Sequence, residues 1–213
     1  MEAKMKKLLK GILLLTIIGC FAGGGFADEI AGTTEITGYY QQYRDFSYKS
    51  GVSGWDFDPT RLAGGGFSIA QNIADWFAIW TQVSFYGTVD QASNYGNMNS
   101  VRIINNLQGI RYQTKQYGPL QVYGKAGAGV TNYSLYLGGY DFGGTKFSAG
   151  YGGGAHVWFH KNIGITLDVS HILNSLPNME NYFTDYNGNK MKFPDREKFD
   201  SGMVYTTGLT FRF

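Results

Sequence analysis

From Ala31 onward the chain has no helical period of any length; its apolar residues return at every second position. Phe77, Ile79, Thr81, Val83 and Phe85 alternate with Ala78, Trp80, Gln82, Ser84 and Tyr86. Leu120, Val122, Gly124, Ala126, Ala128 and Val130 alternate with Gln121, Tyr123, Lys125, Gly127, Gly129 and Thr131. Ile163, Ile165, Leu167 and Val169 do the same against Gly164, Thr166, Asp168 and Ser170. Successive side chains of a strand point to opposite faces, so each segment has one apolar face and one small or polar face. Phe147, Ala149, Tyr151, Ala155, Val157 and Phe159 oppose Ser148, Gly150, Gly152, Gly154, His156 and Trp158, and Phe67 and Ile69 oppose Gly64, Gly66 and Ser68. Thr34–Tyr43 and Val101–Gln113 are extended in character, but apolar and polar residues are mixed on both of their faces. With Met203–Phe213 the segments number eight.

The connections between these segments alternate strictly in length. Arg44–Thr60, Gly87–Ser100, Asn132–Thr145 and Asn174–Asp200 are long, whereas Gln71–Asp75, Thr114–Pro119 and His160–Asn162 are short. A soluble sandwich has no reason for that rule. A transmembrane barrel has one, because its periplasmic turns are short, its outer loops are long and its strand number is even. The expected fold is therefore an all-β, eight-stranded antiparallel up-and-down transmembrane β-barrel. Eight strands leave an interior just wide enough to be filled by side chains. The Gly, Ser, Thr and Gln face suits that interior, so the aliphatic and aromatic face meets lipid. Composition agrees: the 213 residues include 31 glycines, about twice ordinary usage, and 16% aromatics with only four prolines.

The first stretch reads as a targeting segment. Lys4, Lys6, Lys7 and Lys10 precede and enter an apolar core from Leu8 to Ile18, and Gly25-Phe26-Ala27 places small residues at the positions a signal peptidase reads. The expected division is a signal peptide over 1–27 and a barrel domain over 28–213. Removing the signal leaves fourteen basic and fifteen acidic groups, which turns the net charge from +2 to −1. The compositional case for nucleic-acid binding goes with it. Cys20 is the only cysteine; Ile17-Ile18-Gly19-Cys20 is a loose lipidation pattern, and the reading preferred here is a cysteine inside the signal.

The last eight residues, Thr206-Thr207-Gly208-Leu209-Thr210-Phe211-Arg212-Phe213, resemble the C-terminal assembly signal of bacterial outer-membrane proteins. Thr206 supplies the polar position, Gly208 the glycine two later, and Phe211 and Phe213 the third-last and last aromatics, with Tyr205 extending the outward row. Val122-Tyr123-Gly124-Lys125-Ala126-Gly127-Ala128-Gly129-Val130 and Gly150-Tyr151-Gly152-Gly153-Gly154-Ala155-His156-Val157 are similar to strands of the small OmpA- and OmpX-like barrel domains. The resemblance implies residence in the outer membrane, insertion by the outer-membrane assembly machinery, and contact with lipid and lipopolysaccharide. It does not imply one activity, since such barrels include tethers, surface-interaction proteins, narrow pores and a few lipid-modifying enzymes. A monomer without cofactor or nucleic-acid partner is expected.

Candidate chemistry is sparse. No G-x-x-x-x-G-K-[ST] occurs, and Gly143-Gly144-Thr145-Lys146 has the wrong order for a phosphate loop. His156 and His160 lack a third metal ligand, and His171 belongs to another strand, so no metal site is expected. Some barrels of this kind deacylate lipid A with a rim His-x-Ser-Asn. Here Ser170-His171-Ile172-Leu173-Asn174-Ser175 puts Leu173 where the nucleophile belongs, leaving His171 with Ser175, and Glu180 later, as a weak esterase alternative. A narrow pore is the other alternative. Tyr133, Tyr136, Tyr140, Phe142, Tyr182, Phe183 and Tyr186 are expected in outer loops, as contact surface or as rim aromatics.

Two further expectations concern placement. Trp76, Phe77, Phe159, Phe211 and Phe213 fall at periplasmic strand ends, where an aromatic girdle belongs. Lys125 and Asp168 are each the sixth residue of an outward-running strand, on the polar face, so they are expected at similar depth in the lumen, with Arg111 nearby if it faces in. An unpaired charge there is costly, and a polar network blocking permeation is the expected result. The main reading is non-enzymatic, with a structural or surface-binding role carried by the outer loops.

Overall fold

The computed structural model describes residues 30–44, 48–49, 61–92, 98–137, 140–174, 178–184, 187–192, 198–199 and 201–213. The expected signal segment 1–27, with Cys20 in it, and Ser175 and Tyr186 lie outside them. Eight strands form the barrel: β1 (Thr34–Arg44), β2 (Arg61–Ala74), β3 (Phe77–Ala92), β4 (Met98–Gln113), β5 (Leu120–Leu137), β6 (Tyr140–His160), β7 (Ile163–Leu173) and β8 (Gly202–Arg212). Each pairs antiparallel with the next in sequence. The sheet closes where β1 pairs with β8, from Glu35↔Arg212 to Arg44↔Met203. Closure removes the unpaired strand edges that hydrocarbon cannot satisfy.

The faces that sequence left open are settled by burial. On β1, Glu35, Thr37, Gln41 and Tyr43 are buried while Ile36 and Tyr40 are exposed. On β4, Val101, Ile103, Asn105, Leu107, Arg111 and Gln113 are buried while Ile110 and Tyr112 are exposed. Around the wall the exposed side chains include Phe67, Ile69, Ile79, Phe85, Val122, Leu167, Val169 and Leu209, and the interior holds most of the polar ones. This inverts the arrangement of a water-soluble domain and matches a wall immersed in lipid.

The periplasmic end carries the short turns. Trp76, 58% exposed, stacks on Tyr112 at 5.8 Å, and Phe77 lies 5.4 Å from the same ring. Phe159, Phe211 and Phe213 are exposed at this end as well. Such a surface requires detergent or lipid to stay dispersed. The folded protein is expected to remain compact in cold detergent and to shift to a different apparent mass on a gel after boiling. Recovery as a detergent-free soluble monomer would contradict this fold.

The outer end differs from expectation. Asn132–Thr145 is not a loop: β5 and β6 stay paired from Asn132↔Thr145 to Leu137↔Tyr140. Pairing of β3 with β4 likewise continues to Ala92↔Met98. The Asn and Gly content of these stretches reads as loop, but Tyr133 and Tyr136 are good strand formers and the ladder runs through them. Within the expected longest loop, Asn178–Thr184 pairs with β6 from Lys146↔Asn178 to Asp141↔Thr184. Because β7 covers the same edge of β6 only from Ala149↔Leu173 downward, Asn178–Thr184 prolongs the line of β7. Lys190–Lys192 adds to it. One side of the barrel thus rises well above the other: β6 continues nine residues beyond the level of Leu173, about 30 Å along the strand.

Candidate functional site

The lumen is filled in three layers, each traceable to which residue types the inward positions supply. The periplasmic layer is built around Glu35, the second residue of β1 and 1% exposed. Arg111 Nη2 donates to Glu35 Oε2 at 2.6 Å, and Arg212 Nη2 and Nε donate to Oε1 at 2.9 and 3.1 Å. Arg111 also donates to Asn72 Oδ1 at 3.1 Å, and Arg212 to Gln121 Oε1 at 3.0 Å. The Arg212 guanidinium lies 3.8 Å from the centre of the Trp158 ring, which shields it from water. Arg111 Nη1 sits 3.3 Å from His156 Nε2. A guanidinium only donates, so Nε2 accepts and His156 Nδ1 donates to Thr166 Oγ1 at 2.8 Å. The Thr166 hydroxyl pairs in turn with Thr210.

The middle layer holds the second ion pair. Lys125 Nζ is 3.1 Å from Asp168 Oδ2. Tyr123 donates to the same oxygen at 2.9 Å, and Ser170 donates to Oδ1 at 2.5 Å. Lys125 and Asp168 stand on β5 and β7, with β6 between them. They meet because the intervening inward positions are Gly152, opposite Lys125, and Gly154, opposite Asp168. A Cβ on Gly154 would stand 2.7 Å from the Tyr123 hydroxyl, and one on Gly152 2.6 Å from the Ser170 hydroxyl. Lys125 Nζ also lies 5.2 Å from the Trp80 ring.

Of the three lumenal residues named from sequence, the structure brings Lys125 and Asp168 together and gives Arg111 to Glu35 instead. Between Arg111 and the second pair stands the Tyr123 ring, 5.4 Å from the guanidinium carbon. Sequence reasoning missed Glu35 and Arg212. Strict alternation from Phe211 and Phe213 would have placed Arg212 inside, and two inward guanidiniums demand a buried acid.

The outer layer corrects the expectation of a polar lumen throughout. Tyr43, Leu62, Tyr86, Val101, Ile103, Leu107, Tyr133, Ile172 and Val204 form one apolar cluster inside the barrel. Tyr133, expected in a surface loop, is buried there, with the Lys146 ammonium 5.4 Å from its ring. Tyr43 meets Tyr86 edge-on at 5.6 Å, Asn174 donates to the Tyr43 hydroxyl at 2.8 Å, and Tyr86 donates to Gln41 at 2.6 Å. A cavity of about 30 Å³ lies beside Lys125 and Asp168 and another of about 10 Å³ beside Leu107 and Ile172. The larger has room for one or two waters and the smaller for none or one.

The remaining sequence candidates are scattered. His156 is inside, His160 is at a periplasmic turn, and His171 faces outward, 5.5 Å from the Tyr151 ring. Asn174, beside the expected esterase residues, points inward to Tyr43. Tyr140, Phe142, Glu180, Tyr182 and Phe183 lie on strands, with side chains outside the described residues. Of the residues expected to form an assembly signal, Thr206 faces inward and accepts from Gln41 at 2.9 Å, Gly208 packs against Tyr39, and Phe211 and Phe213 face outward.

No protein-family model and no curated relative matches this sequence. Solved structures do match its fold. OprG of Pseudomonas aeruginosa, an outer membrane protein, is 12% identical over 89% of this chain and 99% of its own, with a TM-score of 0.59. Neisserial surface protein A is 14% identical over 86% and 98%, with a TM-score of 0.57. Ail, the attachment invasion locus protein of Yersinia pestis, is 17% identical over 86% and 99%, with a TM-score of 0.51. A closed barrel with an apolar outer belt is an integral membrane protein. Its eight-stranded fold is that of small outer-membrane barrels such as OprG, Neisserial surface protein A and Ail.

Proposed function

We propose that this is a non-enzymatic outer-membrane protein whose barrel is a closed support and whose outer sheet is the contact surface. The observation that favours this most is the pairing of Asn178–Thr184 with β6 above the lumenal plug. It turns what would be two long loops into an ordered sheet, so a partner need not supply the cost of ordering them. The filled lumen favours the same reading, since the Tyr43–Tyr86–Leu107 layer and the ion pairs beneath it occupy the middle of the barrel. Ail has been solved with sucrose octasulfate, a heparin analogue, which makes sulfated glycans the first ligand class to screen here. Leu173 in place of a nucleophile, and Asn174 turned inward to Tyr43, favour the non-enzymatic reading over the His171–Ser175 esterase.

The test joins Ser134 to Gly143 through an Asn-Gly turn, removing the top of the β5–β6 hairpin and leaving Tyr133 and Lys146 in place. The intact protein is expected to bind immobilised heparin, and the shortened protein to lose that binding while keeping the boil-sensitive gel shift. In planar bilayers both forms, and Asp168→Ala, are expected to stay at baseline conductance, because the apolar layer persists. A steady, reproducible conductance from the intact protein would overturn the closed-barrel reading. Lipid A lacking acyl chains in cells producing the protein would overturn the non-enzymatic one.

A further inference from the structure

Three arginines of the barrel wall stand at closely similar heights. Arg44 ends β1, the eleven-residue strand that begins at Thr34, and Thr34 pairs through its backbone with Phe213 of the girdle. At about 3.3 Å per residue and a tilt of roughly 40°, Arg44 stands about 25 Å above that level, where the apolar band of a barrel ends. Arg102 lies ten positions beyond Tyr112 of the girdle on β4, which is the same rise. Arg61 is directly opposite Arg44 in the β1–β2 ladder.

Arg44 and Arg102 are exposed, and among the described residues neither meets a carboxylate. The Arg44 guanidinium lies over the Tyr205 ring, 5.1 Å from its centre. The strand carboxylates whose side chains are described, Glu35 and Asp168, both face the lumen. One arginine at a membrane boundary needs no partner, because its stem covers apolar wall and its head reaches water. Like charges at directly opposed positions repel, and an anion between them removes the repulsion. The wall beside the pair is also cut back. The row joining β1 to β4 just below Arg44 reads Gln42, Ala63, Gly87, Arg102, so two small residues floor a recess between Gln42 and Arg102. In the next row down, Tyr40 and Phe85 stand exposed on either side of Gly65.

We propose that this recess holds the phosphate headgroup of a lipid in the outer leaflet. An arginine fork matches phosphate through two parallel hydrogen bonds. The recess opens sideways at the edge of the apolar band, so a headgroup reaches it from within the membrane, with its chains lying along Tyr40, Phe67 and Phe85. A soluble anion would have to cross the headgroup layer to arrive there. The inference rests on the outer-membrane residence proposed above and is independent of what the outer sheet binds.

The test uses the full-length protein refolded into phosphatidylcholine vesicles, with dansyl-labelled diphosphoryl lipid A as the probe and energy transfer from the tryptophans as the reading. The labelled lipid is expected to gather at the protein and to be displaced by unlabelled lipid A. Lipid A stripped of both phosphates is expected to displace it about tenfold less well, the scale of one lost hydrogen bond to a charged group. Arg44→Gln combined with Arg102→Gln is expected to weaken capture by about the same factor. The boil-sensitive shift stays intact in that variant, because both side chains are exposed and make no ion pair. Lys115→Gln with Lys161→Gln removes as much charge at the periplasmic turns and leaves capture unchanged. Capture that survives the arginine double variant overturns the proposal, as does equal displacement by the dephosphorylated lipid. Displacement by millimolar inorganic phosphate gives the site to a free anion and overturns it as well. Absence of the boil-sensitive shift in the parent would instead overturn the membrane reading on which this one rests.

Discussion

Glu35→Gln is expected to lower the stability of the barrel by about 3–5 kcal/mol, the scale seen when one partner of a buried ion pair is removed. The carboxylate is 1% exposed and holds Arg111 at 2.6 Å and Arg212 at 2.9 Å, with the His156 ring 3.7 Å away. Glutamine keeps the shape but supplies one acceptor oxygen and no charge to two buried guanidiniums. The penalty arises mostly from those stranded cations. Glu35→Gln combined with Arg111→Gln is therefore expected to recover part of the loss, as a double-mutant cycle would show. Urea unfolding in lipid vesicles, read by tryptophan fluorescence and by the boil-sensitive gel shift, measures both. A loss below about 1 kcal/mol for the single variant would mean that the cluster is hydrated and that the periplasmic layer is not a seal. The β1–β8 seam is the place most affected, because Glu35 and Arg212 are directly opposed across it.

What the sequence made legible depends on how cleanly each strand separates its faces. β3, β5 and β7 alternate aliphatic or aromatic residues with small and polar ones, and their orientation could be read directly. Lys125 and Asp168 lie on two of those strands, so counting from the turns sufficed to place them at matching depth. β1 and β4 resisted the same reading for a physical reason. Val101, Ile103 and Leu107 face inward because the outer half of the lumen is a dry plug, while Ile104 and Ile110 face lipid, so β4 is apolar on both sides. β1 carries tyrosine on both faces, with Tyr39 and Tyr43 inward and Tyr40 outward. Glu35 was hidden in that unreadable strand, and Arg212 passed as a spacer between the two aromatics of the C-terminal signal. The paired hairpin above the barrel was concealed by composition: Asn and Gly suggested loops where Tyr and Leu sustain a ladder. Ser175 and the Tyr182 region show the limit of local motifs, since the line of β7 is resumed by Asn178–Thr184, and nothing in the pattern marks that continuation.

Gly66→Ala is expected to destabilise the barrel by about 1–3 kcal/mol, and Gly66→Leu to abolish the folded, boil-sensitive band altogether. Gly66 faces inward on β2, opposite Tyr39 of β1 and Ser84 of β3. A Cβ there would stand 2.1 Å from the Val83 carbonyl oxygen and 2.9 Å from both Cε2 and the hydroxyl of Tyr39. The tyrosine cannot simply swing aside. Its hydroxyl donates to the Val83 carbonyl at 2.9 Å and lies 3.2 Å from Ser84 Oγ, so displacing the ring breaks hydrogen bonds in a poorly hydrated interior. On its other side, a Cβ on Gly208 of β8 would stand 2.7 Å from the Tyr39 Cβ. Tyr39 therefore lies between two glycines, and a side chain at either pushes it into the other. Gly38, the neighbouring residue of β1, is the control: it faces lipid with nothing within 4 Å of an added Cβ. Gly38→Ala is expected to be neutral or slightly stabilising, since it lowers the entropy of the unfolded chain without a clash. Urea titration of the three variants, refolded into detergent without assembly factors, decides the matter. Equal stabilities for Gly66→Ala and Gly38→Ala would show that the strand backbone relaxes freely, and the close approach of Tyr39 would then not hold the wall together.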